Sequence, residues 1–199
     1  MNLASRFLPI NDFEFASSRA YFVPEGAVAP GFPSPGAPPA FDGPPDLTSA
    51  SYAYAFNEVK HLGAAGGAAL TADQQEIARF HTENPAVLTT RNLRVFLNQP
   101  TVLENARLAA MFWVAYADAM LGCFESKYYF DSWRPRAAIP AAGADGNPAT
   151  EADPSWTPFV NTPNHPEYPA AHACFGGATT EILKAYFKTP RVGFTWNST

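Results

Sequence analysis

A chain of 199 residues, 47% of them hydrophobic, has enough length and apolar content to bury one real core. Charged residues make up only 16% and the net charge is −5, which excludes the basic footprint of a nucleic-acid or anionic-membrane binder. An anion site in such a chain has to be a local cluster of cations.

The first segment, residues 1–45, reads as an irregular arm. Eight prolines fall between Pro24 and Pro45, and proline removes a helix donor and clashes with the preceding turn. Phe7, Phe13, Phe15, Tyr21, Phe22, Phe32 and Phe41 make it too aromatic for a plain linker, so it is expected to lie across an apolar surface. The start, Met1-Asn2-Leu3-Ala4-Ser5-Arg6-Phe7-Leu8-Pro9, lacks the hydrophobic stretch of a secretory signal.

Residues 46–199 read as a partial helical domain. Tyr52, Phe56, Val59 and Leu62 recur at helical steps from about Thr48, with Gly63 as the stop. Thr71-Ala72-Asp73-Gln74 is a capping box leading into Ile77, Ala78 and Phe80. Pro85 ends that helix or opens the next, which carries Leu88, Leu93, Val95, Phe96 and Leu97 up to the break at Pro100. Residues 102–124, rich in Ala, Leu and Met, predict a central, largely buried helix. No apolar run approaches the roughly 20 residues that span a bilayer. Residues 140–169 are punctuated by nine prolines and glycines and form a long loop, a length that is usually functional. A last helix runs from about Ala170 to Phe187, ended by Pro190. No strand pattern appears, so the fold class is all-α. Cys123 and Cys174 are the only cysteines, and two so far apart make neither a disulfide framework nor a metal-ligand pattern.

Chemistry concentrates in two places. Lys127 and Arg134 stand seven apart, close to two helical turns, so both would leave one face about 10 Å apart along the axis. A compact ammonium and a planar guanidinium suit a tetrahedral oxyanion. Pro135 disfavours helix at Arg134, so the helix is expected to end or kink there. The bland alternative, two solvated cations, sits poorly with the aromatic run Tyr128, Tyr129, Phe130 and Trp133. His172 falls in the first turn of the last helix, where free backbone donors favour an anion and a nearby anion would raise the imidazole pKa. A helix-start histidine bonded to a loop carbonyl is its bland alternative.

The run from Lys127 to Arg134-Pro135 resembles the first signature of the vanadium-dependent haloperoxidase and type 2 phosphatidic acid phosphatase superfamily. Pro169-Ala170-Ala171-His172 is similar to its second, Pro-Ser-Gly-His. Flanking runs resemble bacterial haloperoxidase-like proteins, including Glu104-Asn105-Ala106-Arg107, Asp153-Pro154-Ser155-Trp156 and Pro166-Glu167-Tyr168-Pro169. The likeness covers residues 47–187. It implies a helical bundle of the haloperoxidase and acid phosphatase type. It further implies that Lys127, Arg134 and the Ala171 backbone hold vanadate, or phosphate as its analogue, and that His172 is the acid-base residue. His165 would lie on the halide side and favour bromide, with Phe124 lining the same pocket; a polar loop histidine facing water and a plain core phenylalanine are the alternatives. The implied reaction is oxidation of halide by hydrogen peroxide with an organic acceptor; a phosphomonoesterase on the same fold and a noncatalytic anion-binding helical protein are the alternatives. Nucleic acid and a membrane span are not expected among its partners.

Two departures matter. Ala170 stands where the family has Ser, so a hydroxyl donor is absent, and Ala171 replaces Gly. A missing oxyanion donor costs on the order of 10²–10³ in rate. The third signature, Ser-Arg with a later His that ligates vanadate directly, does not follow His172 in the 199 residues. The chain is therefore expected to be a fragment, incomplete on its C-terminal side and inactive alone, with exposed apolar surface that drives association into homo-oligomers. Family members are often exported, and the sequence leaves the compartment open. His61 and His81 read as helix-surface residues, and Asp118 and Asp131 as structural hydrogen-bonding groups.

Overall fold

The structure, a computed structural model, describes residues 43–197. The arm expected over residues 1–45 thus lies outside the described residues except for its last three. Six α-helices follow in order: α1 (Ala50–Leu62), α2 (Ala72–Phe80), α3 (Pro85–Leu93), α4 (Val102–Phe130), α5 (Pro135–Ala138) and α6 (Ala171–Phe187). A 3-10 turn covers Ala142–Ala144. Among the described residues there is no strand, only one antiparallel bridge between Ala64 and Pro158. The all-α reading holds.

Local signals explain most boundaries. Ser49 caps α1 by accepting from the Tyr52 amide at 3.1 Å. The Gly63 amide closes the same helix on Val59 O. Thr71 and Gln74 form the expected reciprocal box, the Thr71 amide on Gln74 Oε1 at 2.9 Å and the Gln74 amide on Thr71 Oγ1 at 3.2 Å. Pro85 opens α3 behind its cap Asn84. Thr101 and Glu104 make a second box at the start of α4.

The central helix corrects the sequence reading twice. It runs on to Phe130, past the expected end near Phe124. It is buried along one stripe only: Leu108 and Phe112 are fully buried, whereas Val102, Leu103 and Val114 are exposed. The stretch Val102–Ala138 is long and apolar enough, by length and composition, to cross a membrane, a measure that a core helix of a soluble bundle also meets.

The chain divides into two compact units. The first holds residues 43–79 and 124–169. Its core gathers Phe56, Trp133, Ala138, Ile139, Ala142 and Trp156, with Tyr52, Val59, Ala64 and Ala141 against them. The second holds residues 80–123 and 170–197. Leu93, Phe96, Leu108, Phe112 and Leu183 form its core, with Leu97, Trp113, Tyr186, Phe187, Val192 and Trp196 packed on it.

The long loop of the first unit is ordered by polar side chains rather than by helix. Asp145 accepts from the Asn147 amide at 2.8 Å and from Thr150 Oγ1 at 2.7 Å. Asn147 donates Nδ2 to Leu47 O (2.8 Å) and Ser49 O (3.1 Å), while its Oδ1 accepts from the Ala149 amide. Trp156 Nε1 donates to Lys60 O at 2.9 Å, and the Phe159 amide to Gly63 O at 2.8 Å. The loop is thereby fastened along α1, which answers where its backbone polar groups go. Asn147→Ala strands these buried partners and is expected to lower stability by about 1–3 kcal/mol. Urea unfolding followed by circular dichroism checks it; an unchanged midpoint would mean that the clamp is dispensable.

Candidate active site

The last turns of α4 carry Phe124 and Lys127 in the first unit. At the helix end Asp131 takes a left-handed conformation (φ 45°) while its amide still bonds Lys127 O at 2.8 Å. The chain then runs extended through Arg134 (φ −81°, ψ 152°) before Pro135 starts α5. The expected helix end before Pro135 is present, since a proline at 135 disfavours helix at 134, but the expectation that Lys127 and Arg134 leave one helix face is wrong, because the turn at Asp131 redirects the chain first. The two cations are nonetheless brought to one place, from a helix and from an extended segment.

That place is the loop 165–167. Lys127 is fully buried, and its Nζ donates to Pro166 O at 2.8 Å and Glu167 O at 2.9 Å. Arg134 Nε donates to His165 O at 2.6 Å, Nη2 lies 3.0 Å from His165 Nδ1, and Nη1 pairs with Glu167 Oε2 at 3.0 Å. The same Nδ1 lies 3.1 Å from Pro166 O, so it accepts from the guanidinium in one tautomer and donates to the carbonyl in the other. Ser132 holds the loop from the other side. Its carbonyl accepts the Glu167 amide at 3.0 Å, and its hydroxyl accepts the Tyr168 amide at 3.2 Å. The Tyr168–Pro169 peptide bond is cis.

The electrostatics follow from burial. Desolvation, helped by the charge of Arg134 and opposed by Glu167, pulls the Lys127 ammonium from 10.5 down to about 7. Burial also lowers Arg134, against the pull of Glu167, but a guanidinium starts so high that it stays charged. Below about pH 7 two cations thus face Glu167, and above it Arg134 carries the charge.

His165 is half-buried, its ring meeting that of Phe124 edge-on at 5.0 Å between centroids. The two residues read as the halide side are therefore neighbours, and His165 is tied to Arg134 instead of facing only water. Lys127 Nζ also lies 6.0 Å from the Phe124 ring centroid.

The second unit holds Ala171 and His172 in the first turn of α6. Ala170 occupies the cap position in extended conformation and supplies no side-chain cap. His172 is exposed, with Phe175 at 5.4 Å and His81 at 6.0 Å between ring centroids. His81 is exposed as read, yet its contact with His172 went unseen in the sequence. Cys174, two residues beyond His172, is disulfide-bonded to Cys123, with the Cα atoms 6.2 Å apart. The sequence reading gave these cysteines no pairing because their 51-residue separation hides that α4 and α6 meet within this unit.

Glu167 and Ser132 were also missed as site residues. Glu167 was visible only as part of a flanking run; an acid between two prolines in a loop that must meet two cations was its signal. Asp118 is exposed, and Asp131 shapes the helix end.

Residues 107–199 match the family model described as VCPO second helical-bundle domain. The vanadium chloroperoxidase of Curvularia inaequalis is 38% identical over 103 residues, a match that covers 47% of this chain and 16% of that protein. The chain thus spans well under two thirds of the curated relative. No solved structure matches it. The stretch matched by the family model includes Lys127, Arg134, His165 and His172, and both comparisons are similarities of about half of this chain.

Proposed function

We propose that this chain carries the oxyanion cradle of a vanadate-dependent haloperoxidase. The observation that carries the reading is a fully buried lysine beside an arginine, with a single carboxylate to balance them. With Lys127 protonated, two buried cations against Glu167 leave a positive site that an added oxyanion would neutralise, and the anion in turn favours that protonated form. The donor set fits vanadate or phosphate by its chemistry. Lys127 has three donors, two of them on loop carbonyls, and Arg134 has five, two of them in hydrogen bonds to His165 and one beside Glu167.

In this reading Lys127 and Arg134, both in the first unit, would hold the oxygens of the anion, while the Ala171 amide and His172 keep the donor and acid-base roles that the resemblance implies. His165 and Phe124 border the halide. Vanadate, when bound, supplies the activation of hydrogen peroxide toward halide. The exposed His172 ring can exchange protons with solvent, as an acid-base residue must. Ala170 gives no hydroxyl to the cradle, so the anion is held more weakly than with serine there.

The test is bromination of a phenol dye by peroxide and bromide, run with and without vanadate on the protein as the cell makes it. Vanadate-dependent turnover that falls at least about 100-fold in His172→Ala is expected. Turnover that ignores vanadate would sink the reading. Hydrolysis of an aryl phosphate, blocked by vanadate, would select the phosphomonoesterase instead. A noncatalytic role is favoured by one observation, the occupation of both cations by loop carbonyls; tight phosphate binding without either turnover would select it.

A further inference from the structure

We infer that Glu167 is an internal counter-anion that occupies Arg134 and must swing aside for an oxyanion to enter, so that this one side chain sets the affinity and exchange of the cradle. The inference rests on the oxyanion-cradle reading above and adds to it the residue that regulates the site.

Four observations carry it. Glu167 Oε2 is buried 3.0 Å from Arg134 Nη1, paired with it by charge without a hydrogen bond, so the carboxylate takes a place on the guanidinium that a better-aligned incoming oxygen would need. The side chain as a whole is 46% exposed against 16% for Arg134, so the acid has solvent to move into while the arginine does not. The backbone of Glu167 is fixed independently of that carboxylate. Its amide donates to Ser132 O, and its carbonyl accepts from Lys127 Nζ at 2.9 Å. Releasing the acid therefore leaves the loop in place. Finally, Arg134 and Glu167 both line one cavity of about 500 Å³, walled largely by apolar groups such as Val59, Leu62 and Phe159. Arg134 is the one cation on that cavity wall, with Glu58 and Glu167 as its acids, and an anion entering by that route reaches the guanidinium at the atom beside Glu167.

The physics is competition between two anions for one fork of donors. A half-exposed ion pair is worth little, since water screens it and the long side chain loses freedom in making it. A tetrahedral oxyanion offers several acceptors at once and can take Nη1 and Nη2 of the guanidinium together. Glu167 is thus weak enough to be displaced, and strong enough to keep Arg134 neutralised and aligned while the site holds no other anion.

The experiment is calorimetric titration of inorganic phosphate, and separately of orthovanadate, into the wild type, Glu167→Gln, Glu167→Asp and Glu181→Gln. Glu181 pairs with Lys184 on the surface of α6, so its variant makes the same change in net charge away from the cradle. Glu167→Gln is expected to bind both anions about fivefold more tightly, Glu167→Asp by an intermediate factor, and Glu181→Gln as the wild type does. Unchanged or weaker binding in Glu167→Gln, with the wild type still binding, overturns the gate and leaves the cradle standing. An equal gain in Glu181→Gln also overturns it, because net charge alone would then explain the effect. Absence of binding in every variant overturns the gate and the cradle together. Should Glu167→Gln fail to fold, Glu167→Asp decides by the same comparison.

Discussion

Lys127→Met loses oxyanion binding by about 10- to 100-fold and is less stable than the wild type by about 1–3 kcal/mol, the deficit growing as pH rises. The binding loss is that of one charge-assisted hydrogen bond, about 1.5–3 kcal/mol. The stability loss comes from Pro166 O and Glu167 O, which keep their buried positions but lose the ammonium that bonds both. The pH dependence follows from the depressed Lys127 pKa, about 7 in the folded chain against 10.5 unfolded. Between those two values the unfolded chain binds the proton and the folded chain does not, so wild-type stability rises with pH across that window. Below about 7 both states hold the proton and the full cost of burying it is present. The methionine variant does not titrate there, so the two proteins differ least near pH 6 and most near pH 10. Urea unfolding at pH 6, 8 and 9.5 checks this. A gap that shrinks with pH would mean that Lys127 is a charged, paired group in the folded chain. Anion binding raises the same pKa, so phosphate should bind with proton uptake near pH 8, visible as a binding enthalpy that varies with the buffer.

The behaviour of Lys127 also marks how far the sequence could be read. Where a feature rests on neighbours within four residues, the residues declare it. The Thr71 capping box and the Gly63 stop appear where expected, the Ser49 and Asn84 caps follow the same local hydrogen-bond chemistry, and Pro85 proves to open a helix. The pairing of Lys127 with Arg134 was legible as a spacing, but the reason for it was not. A seven-residue interval looked like two helical turns, and the structure reaches the same convergence through a left-handed turn at Asp131 and an extended Arg134. The order of the 140–169 loop was hidden for a different reason. Its hydrogen bonds join Asn147 to Leu47 and Trp156 to Lys60 across about a hundred residues, and no periodicity encodes such contacts. The same holds for Glu167. An acid in a proline-rich loop is ordinary until the fold sets a guanidinium 3.0 Å from it. On α4 the error ran the other way. Apolar composition predicted burial all round, and the helix buries one stripe while Val102, Leu103 and Val114 stay exposed.

Loss of the Cys123–Cys174 bond, by reduction or by replacing both cysteines with serine, lowers the stability of the second unit by about 4 kcal/mol. A crosslink that closes a 51-residue loop removes that much chain entropy from the unfolded state. The bond joins α4 to the first turns of α6, and the Cys174 amide also makes the first helical bond to Ala170 O. Phe175, next in the chain, packs on Tyr116 at 5.3 Å, so apolar contact alone still holds the two helices together once the bond is gone. The unit should therefore keep its helical content at low temperature and melt earlier, with the loss felt first at the start of α6. His172 lies there, two residues from the crosslink, and needs that turn formed to present its ring in one orientation. A thermal melt followed by circular dichroism, with and without dithiothreitol, measures the first effect. Hydrogen exchange of the 172–176 amides measures the second. A reduced protein that melts with the oxidised one would show that packing around Phe175 suffices and that the crosslink adds nothing to the folded state. Earlier melting with unchanged exchange at 172–176 would separate the stability of the unit from the positioning of its histidine. Such a bond persists only under oxidising conditions, so the same pair of melts also tells which thiol environment the folded chain tolerates.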